Sequence, residues 1–139
     1  MISKLAISLF IVTLSSTVSA ATYECRAEWA AYLSEDFADG LKVASKEYTN
    51  RLQLMVRITD EDKIKLERCS FVKSVNKQTC DTHYIDKEIE DKNVGMRKLY
   101  ITSSQYDIQL IKLGNGMIGY IENNGRGGIA TGFCNVINK

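Results

Sequence analysis

Apolar and polar positions alternate with a period of two over much of the chain, the pattern of strands with one face in a core. Tyr23, Cys25, Ala27, Trp29, Ala31 and Leu33 fall on one face and Glu24, Arg26 and Glu28 on the other, predicting a long first strand. A helix over 27–33 is the competing reading, because Ala, Glu, Trp and Leu also suit helices. Leu52, Leu54, Val56 and Ile58 alternate with Gln53, Met55, Arg57 and Thr59, a second strand. Asp60-Glu61-Asp62 then turns the chain, and Ile64 and Leu66 continue on the core side of the returning strand. Phe71 to Gln78 shows no clear period, Cys80–Asp86 reads as a short strand, and Lys87–Asn93 reads as a charged loop. A strand at Lys98–Ser103 precedes a C-terminal meander. There two apolar runs, 106–113 and 117–121, flank Gly114-Asn115-Gly116, whose Asn-Gly pair supplies the positive φ angles of a tight hairpin. A second turn, Asn123-Asn124-Gly125-Arg126-Gly127-Gly128, leads into a last strand ending at Cys134. Seven or eight short strands with turn signals between them, and no proline, predict an all-β antiparallel sandwich or small β-barrel.

The first twenty residues do not fit this plan. Lys4 followed by an apolar run from Leu5 to Leu14 and by Val18-Ser19-Ala20 reads as an export signal with a small-residue cleavage site. The run is shorter than the about 20 apolar residues that span a bilayer, so membrane insertion is not expected. The expected mature chain is one domain, residues 21–139, in the periplasm or secreted. The chain carries 18 basic and 17 acidic residues, and loss of Lys4 makes the two signs equal. That balance argues against nucleic acid as a partner, which needs a basic excess.

Cys25, Cys69, Cys80 and Cys134 all lie in the mature region. Four cysteines in an oxidising compartment imply two disulfides with three connectivities, of which Cys25–Cys134 and Cys69–Cys80 are favoured. The first of these would tie the first strand to the last, consistent with barrel closure.

Candidate chemistry is sparse. His83 is the single histidine, sharing a strand face with Asp81, and no G-x-S-x-G is present. Glu122 is the best single carboxylate for glycoside chemistry, but spacing assigns it no partner. Asp60-Glu61-Asp62 and Glu88-Ile-Glu90-Asp91 lack the alternating ligands and central glycine of a calcium loop. The expectation is a non-enzyme without a cofactor or metal. The notable stretch is Glu122–Gly128, in which Glu122, Asn123, Asn124 and Arg126 are the candidate partner-binding residues. It reads either as a turn whose glycines supply positive φ or as a mobile glycine loop presenting Arg126. The arginine fork matches a carboxylate such as a catalytic acid in an enzyme cleft.

The run from Lys98 to Cys134, with Tyr106-Asp-Ile-Gln and Ile121-Glu-Asn-Asn-Gly-Arg-Gly, resembles the C-terminal half of small uncharacterised secreted proteins of proteobacteria. The plan of signal, two disulfides and compact β fold is also similar to periplasmic lysozyme inhibitors and to type VI secretion immunity proteins. The Ser-Gly and Thr-Lys-Gly loop motifs of C-type lysozyme inhibitors are absent, with Ser103-Ser-Gln-Tyr106 in their place. The resemblance implies a protein partner, a cell-wall hydrolase or toxin. The alternative is a structural or assembly module of the envelope, a homodimer joined through sheet edges.

Overall fold

The computed structural model describes residues 20–34 and 40–138, so the expected export signal, apart from Ala20, lies outside the described residues. The chain is mostly antiparallel β, a curled half-barrel sheet of nine strands with two disulfides. In chain order the elements are β1 (Thr22–Leu33), β2 (Leu41–Val43), α1 (Lys46–Leu52), β3 (Met55–Thr59), β4 (Lys65–Val72), β5 (Lys77–Tyr84), β6 (Lys87–Asp91), β7 (Met96–Ile101), β8 (Tyr106–Lys112), β9 (Ile118–Asn123) and β10 (Gly128–Asn138). The strand reading of 27–33 therefore holds against the helix.

The sheet order is β5-β4-β3-β1-β10-β9-β8-β7-β6, with β2 attached to the end of β1. Cys25 lies directly opposite Cys134 and is bonded to it, and Cys69 is related to Cys80 in the same way. Both favoured disulfides are present. Cys25–Cys134 ties the first strand to the last as expected, but this tie is not what closes the sheet. It crosslinks β1 and β10 at the sheet's centre, and the edges are β5 and β6 from mid-sequence.

Those edges are tied in another way. Every neighbouring pair is antiparallel, and eight such steps separate β5 from β6, so the two run in the same direction. Only Ile85 and Asp86 stand between them: the Ile85 N–H donates to Ile64 O (3.0 Å) and the Asp86 N–H to Tyr100 O (3.0 Å). One nearly continuous stretch thus pairs with β4 in its first half and with β7 in its second. Arg97 on β7 reinforces the closure through two bonds to the Asp60 carboxylate (2.7 and 2.6 Å) and one to Glu88.

The inner face carries Cys25, Val56, Ile58, Leu66, Leu99, Ile108 and Tyr120. Close approach of β10 to β1 at their bulge requires Gly132, where a Cβ would sit 1.9 Å from Arg26 O.

Three local expectations change. Residues 46–52 are a helix where an alternating strand is expected to begin at Leu52. Ser45 caps it by accepting from the Tyr48 N–H (3.1 Å), and only Thr49 is buried, so the helix has no apolar stripe to show in the sequence. Lys87–Asp91 is a strand, not a loop: β6 is an edge with nearly every residue exposed, which erases the alternation. With β2 and β6 as strands that were not expected, the described residues contain ten where seven or eight are predicted.

Candidate functional site

At the end of the half-barrel where β9 turns into β10, an acid occupies a core position. Ile118, Tyr120 and Glu122 alternate inward along β9, and Glu122 is 1% exposed. Across the sheet Arg68, in phase with Leu66 on β4, donates Nε–H to Glu122 Oε1. Burial alone would lower the guanidinium's pKa, but the charge and hydrogen bond of Glu122 outweigh it and hold Arg68 above its ordinary value. The second carboxylate oxygen, Oε2, has no hydrogen-bond partner among the described residues, nor do the buried hydroxyls of Tyr106 and Tyr120. Burial, then the neighbouring charge of Glu122, raises the pKa of both tyrosines, that of Tyr106 well above its usual value, so both are weaker acids than a free phenol.

Two hollows flank this cluster, and Arg68 and Asn124 belong to both. The inner one, about 290 Å³, is walled by Ala30, Ala31, Leu52, Leu54, Ser70, Ile129 and Ala130, with Glu122 and Arg68 as its charged groups and Tyr32 and Tyr48 also in its lining. The helix α1 supplies Tyr48 and Leu52 to it. The outer one, about 240 Å³, lies between Asp81 and His83 of β5, Ser104 and Tyr106, and Arg126. A larger hollow of about 680 Å³ at the other end of β9 is bordered by Tyr23, Glu90, Lys92 and Arg97, none of which is a buried unpaired group.

The 123–128 loop is not a loose presenter. The Asn124 carboxamide oxygen accepts from the N–H groups of Arg126 (2.8 Å) and Gly128 (2.9 Å), and Asn123 accepts from Gly125 (2.9 Å). Asn124 N–H to Gly128 O (3.0 Å) closes the turn, and Leu33 N–H to Gly127 O (2.8 Å) pins it to β1. Gly125, at φ 71°, lies so close to Ser104 O that an added Cβ would be 2.4 Å away. Of the two readings of this stretch, the structure shows the turn whose glycines supply positive φ, with Gly125 at 71° and Gly127 at 86°, and its backbone is held by these hydrogen bonds.

Of the four residues expected to contact a partner, Arg126 is exposed, and among the described residues its guanidinium has no ion pair or hydrogen bond. Asn123 and Asn124 use their side-chain oxygens to build the turn. Glu122 corrects its assignment: it faces the interior, because its β9 phase is that of Tyr120, and a protein surface does not reach it directly. His83 and Asp81 are exposed at the rim of the outer hollow. Arg68, Tyr106 and Tyr120 were not singled out from the sequence. Their signal is phase, since Arg68 stands where the alternation Ile64, Leu66 calls for an apolar residue.

Among the described residues no three His, Cys, Asp or Glu side chains are grouped to hold a metal ion, and no helix is long and apolar enough to cross a membrane. Comparison with protein-family models, curated proteins and solved structures finds no match to this chain.

Proposed function

We propose that the protein is a non-enzymatic binding protein of the periplasm, an inhibitor or immunity protein that neutralises a cell-wall hydrolase or a secreted toxin. The observation that carries this reading is Arg126, an exposed guanidinium without an ionic partner among the described residues, on a turn whose backbone is fixed by hydrogen bonds. Fixing the loop beforehand removes the ordering cost of binding, and the planar fork then suits a carboxylate in a partner's cleft. Exposed Leu33 packs against Gly127, and exposed Leu41 lies opposite Leu33, so apolar surface adjoins the arginine. Two disulfides, Cys25–Cys134 in the core and Cys69–Cys80 with Cys80 at the surface, fit an oxidising compartment.

The test is a pull-down with mature, oxidised protein against periplasmic and secreted proteins of the same cells. A stoichiometric hydrolase or toxin captured by wild type and lost with Arg126→Ala, at unchanged Tm, supports the reading. A partner retained by Arg126→Ala removes the arginine from the argument.

A second reading, an envelope module that self-associates, is favoured by β2, which pairs only with β1 and has Leu41 and Val43 exposed. It predicts a dimer by size-exclusion chromatography that Val43→Lys dissociates, and no captured protein.

A further inference from the structure

We infer that the inner cavity beside Glu122 is a binding site for a neutral small molecule with a compact apolar or aromatic body and one N–H or O–H donor. The site goes beyond the partner reading and does not use Arg126.

Three observations converge on that chemistry. The first is the unfilled acceptor. Glu122 is 1% exposed, its Oε1 is taken by Arg68, and its Oε2 is without a partner while the side chain lines the cavity. Buried polar atoms are almost always satisfied, so a donor brought by a ligand meets a standing demand.

The second is the wall. Alanines at 30, 31 and 130 leave room where larger core residues would fill it, and Leu52, Leu54 and Ile129 make the remainder apolar. The cavity of about 290 Å³ is well above the roughly 150 Å³ that houses a benzene ring, so a bicyclic body fits.

The third is charge. Arg68 and Glu122 neutralise one another, so a charged ligand would bury an uncompensated charge, whereas a neutral donor engages Oε2 without that cost. Tyr32 and Tyr48, with ring centroids 6.5 Å apart, give the lining a tilted aromatic pair that suits a flat ligand.

The experiment titrates mature, oxidised protein with indole and with indene, the same bicycle without the N–H, following backbone amide NMR shifts. Indole is expected to give saturable shifts at Ala30, Leu54 and Ala130, and indene to bind at least about tenfold more weakly, the cost of one hydrogen bond to a charged acceptor. Benzylammonium, a charged donor, should also bind more weakly than indole. Ser70→Leu, which adds bulk to the cavity wall and replaces neither member of the ion pair, should abolish the indole shifts. Equal affinity for indole and indene would overturn the donor assignment on wild-type protein alone. Shifts that do not saturate, or that map to the hollow around Tyr23 and Glu90, would overturn the site. Loss of partner capture with Arg126→Ala leaves the indole result unchanged, so the two readings fail separately.

Discussion

The ion pair inside the half-barrel is asymmetric, and the asymmetry can be measured. The side chain of Glu122 is 2% exposed and that of Arg68 30%. Removing the arginine strands a carboxylate in the interior, a loss of about 3–5 kcal/mol when a buried charge is left without its partner. Glu122→Gln leaves Arg68 partly in water, so the loss is closer to that of one charge-assisted hydrogen bond, about 1.5–3 kcal/mol. Replacing both by methionine, of similar length, removes the desolvation cost along with the attraction, and the result should lie within about 1 kcal/mol of wild type or above it. The assay is urea denaturation of the oxidised protein near neutral pH, with Arg68→Met, Glu122→Gln and the double methionine variant compared at equal slope. Arg68→Met costing no more than Glu122→Gln would refute the burial argument. A double variant more than about 2 kcal/mol below wild type would show that the pair contributes net stability beyond its desolvation cost.

The disulfides should differ in worth: loops of separation 109 and 11 give about 5 and about 3 kcal/mol, so Cys25→Ala/Cys134→Ala should lower stability more than Cys69→Ala/Cys80→Ala, and the reverse order would reject the loop argument. Gly132→Ala meets Arg26 O and should cost roughly 1–3 kcal/mol or more in denaturant unfolding, while Gly114→Ala has nothing within 4 Å and should stay within about 0.5 kcal/mol of wild type. The hydrogen bond from Arg57 holds Glu24 below the usual carboxylate range, against burial and with help from Arg26. A depressed carboxylate stabilises above its unfolded value of about 4.3 and loses that contribution as pH falls through the lower folded value, so the Tm gap between wild type and Glu24→Gln should close as the pH is taken below about 4. A gap that persists down to about pH 2 would trace it to something other than ionisation.

How much of this could be read from the chain depends on whether the determining contact is local. Alternation exposed β8 and β9 because one face of each is buried, and Asn115-Gly116 placed the hairpin between them. In β1, by contrast, a bulge between Ala27 and Trp29 breaks the period, and Trp29 and Leu33, expected on the core face, are exposed. The helix α1 was hidden because a single buried residue, Thr49, makes no period, although Ser45 and Glu47 at its start are cap and first-turn signals. The Arg68–Glu122 pair joins residues 54 apart, and no spacing rule reaches that far. What the sequence does display is a charge at an inward phase on each strand, legible as an anomaly before it is legible as a pair. Glu122 was picked out for its neighbours in the turn, and the structure gives it a different neighbourhood, while Arg126 is presented as the turn suggested.

The pairing of β1 with β10 has a consequence for how the molecule is assembled and for where it can be cut. The first and last strands are neighbours at the middle of the sheet, so two wings, β3–β5 and β6–β9, wait for a seam that exists only once the C-terminus is free. Cys69 and Cys80 can join across a few residues as soon as both emerge, whereas Cys25 cannot form its native bond until Cys134 arrives. Chain ends are ordinarily the cheapest places to shorten. Here, trimming the last dozen residues would open the sheet at its centre, bare two long edges at once and leave one cysteine without its mate.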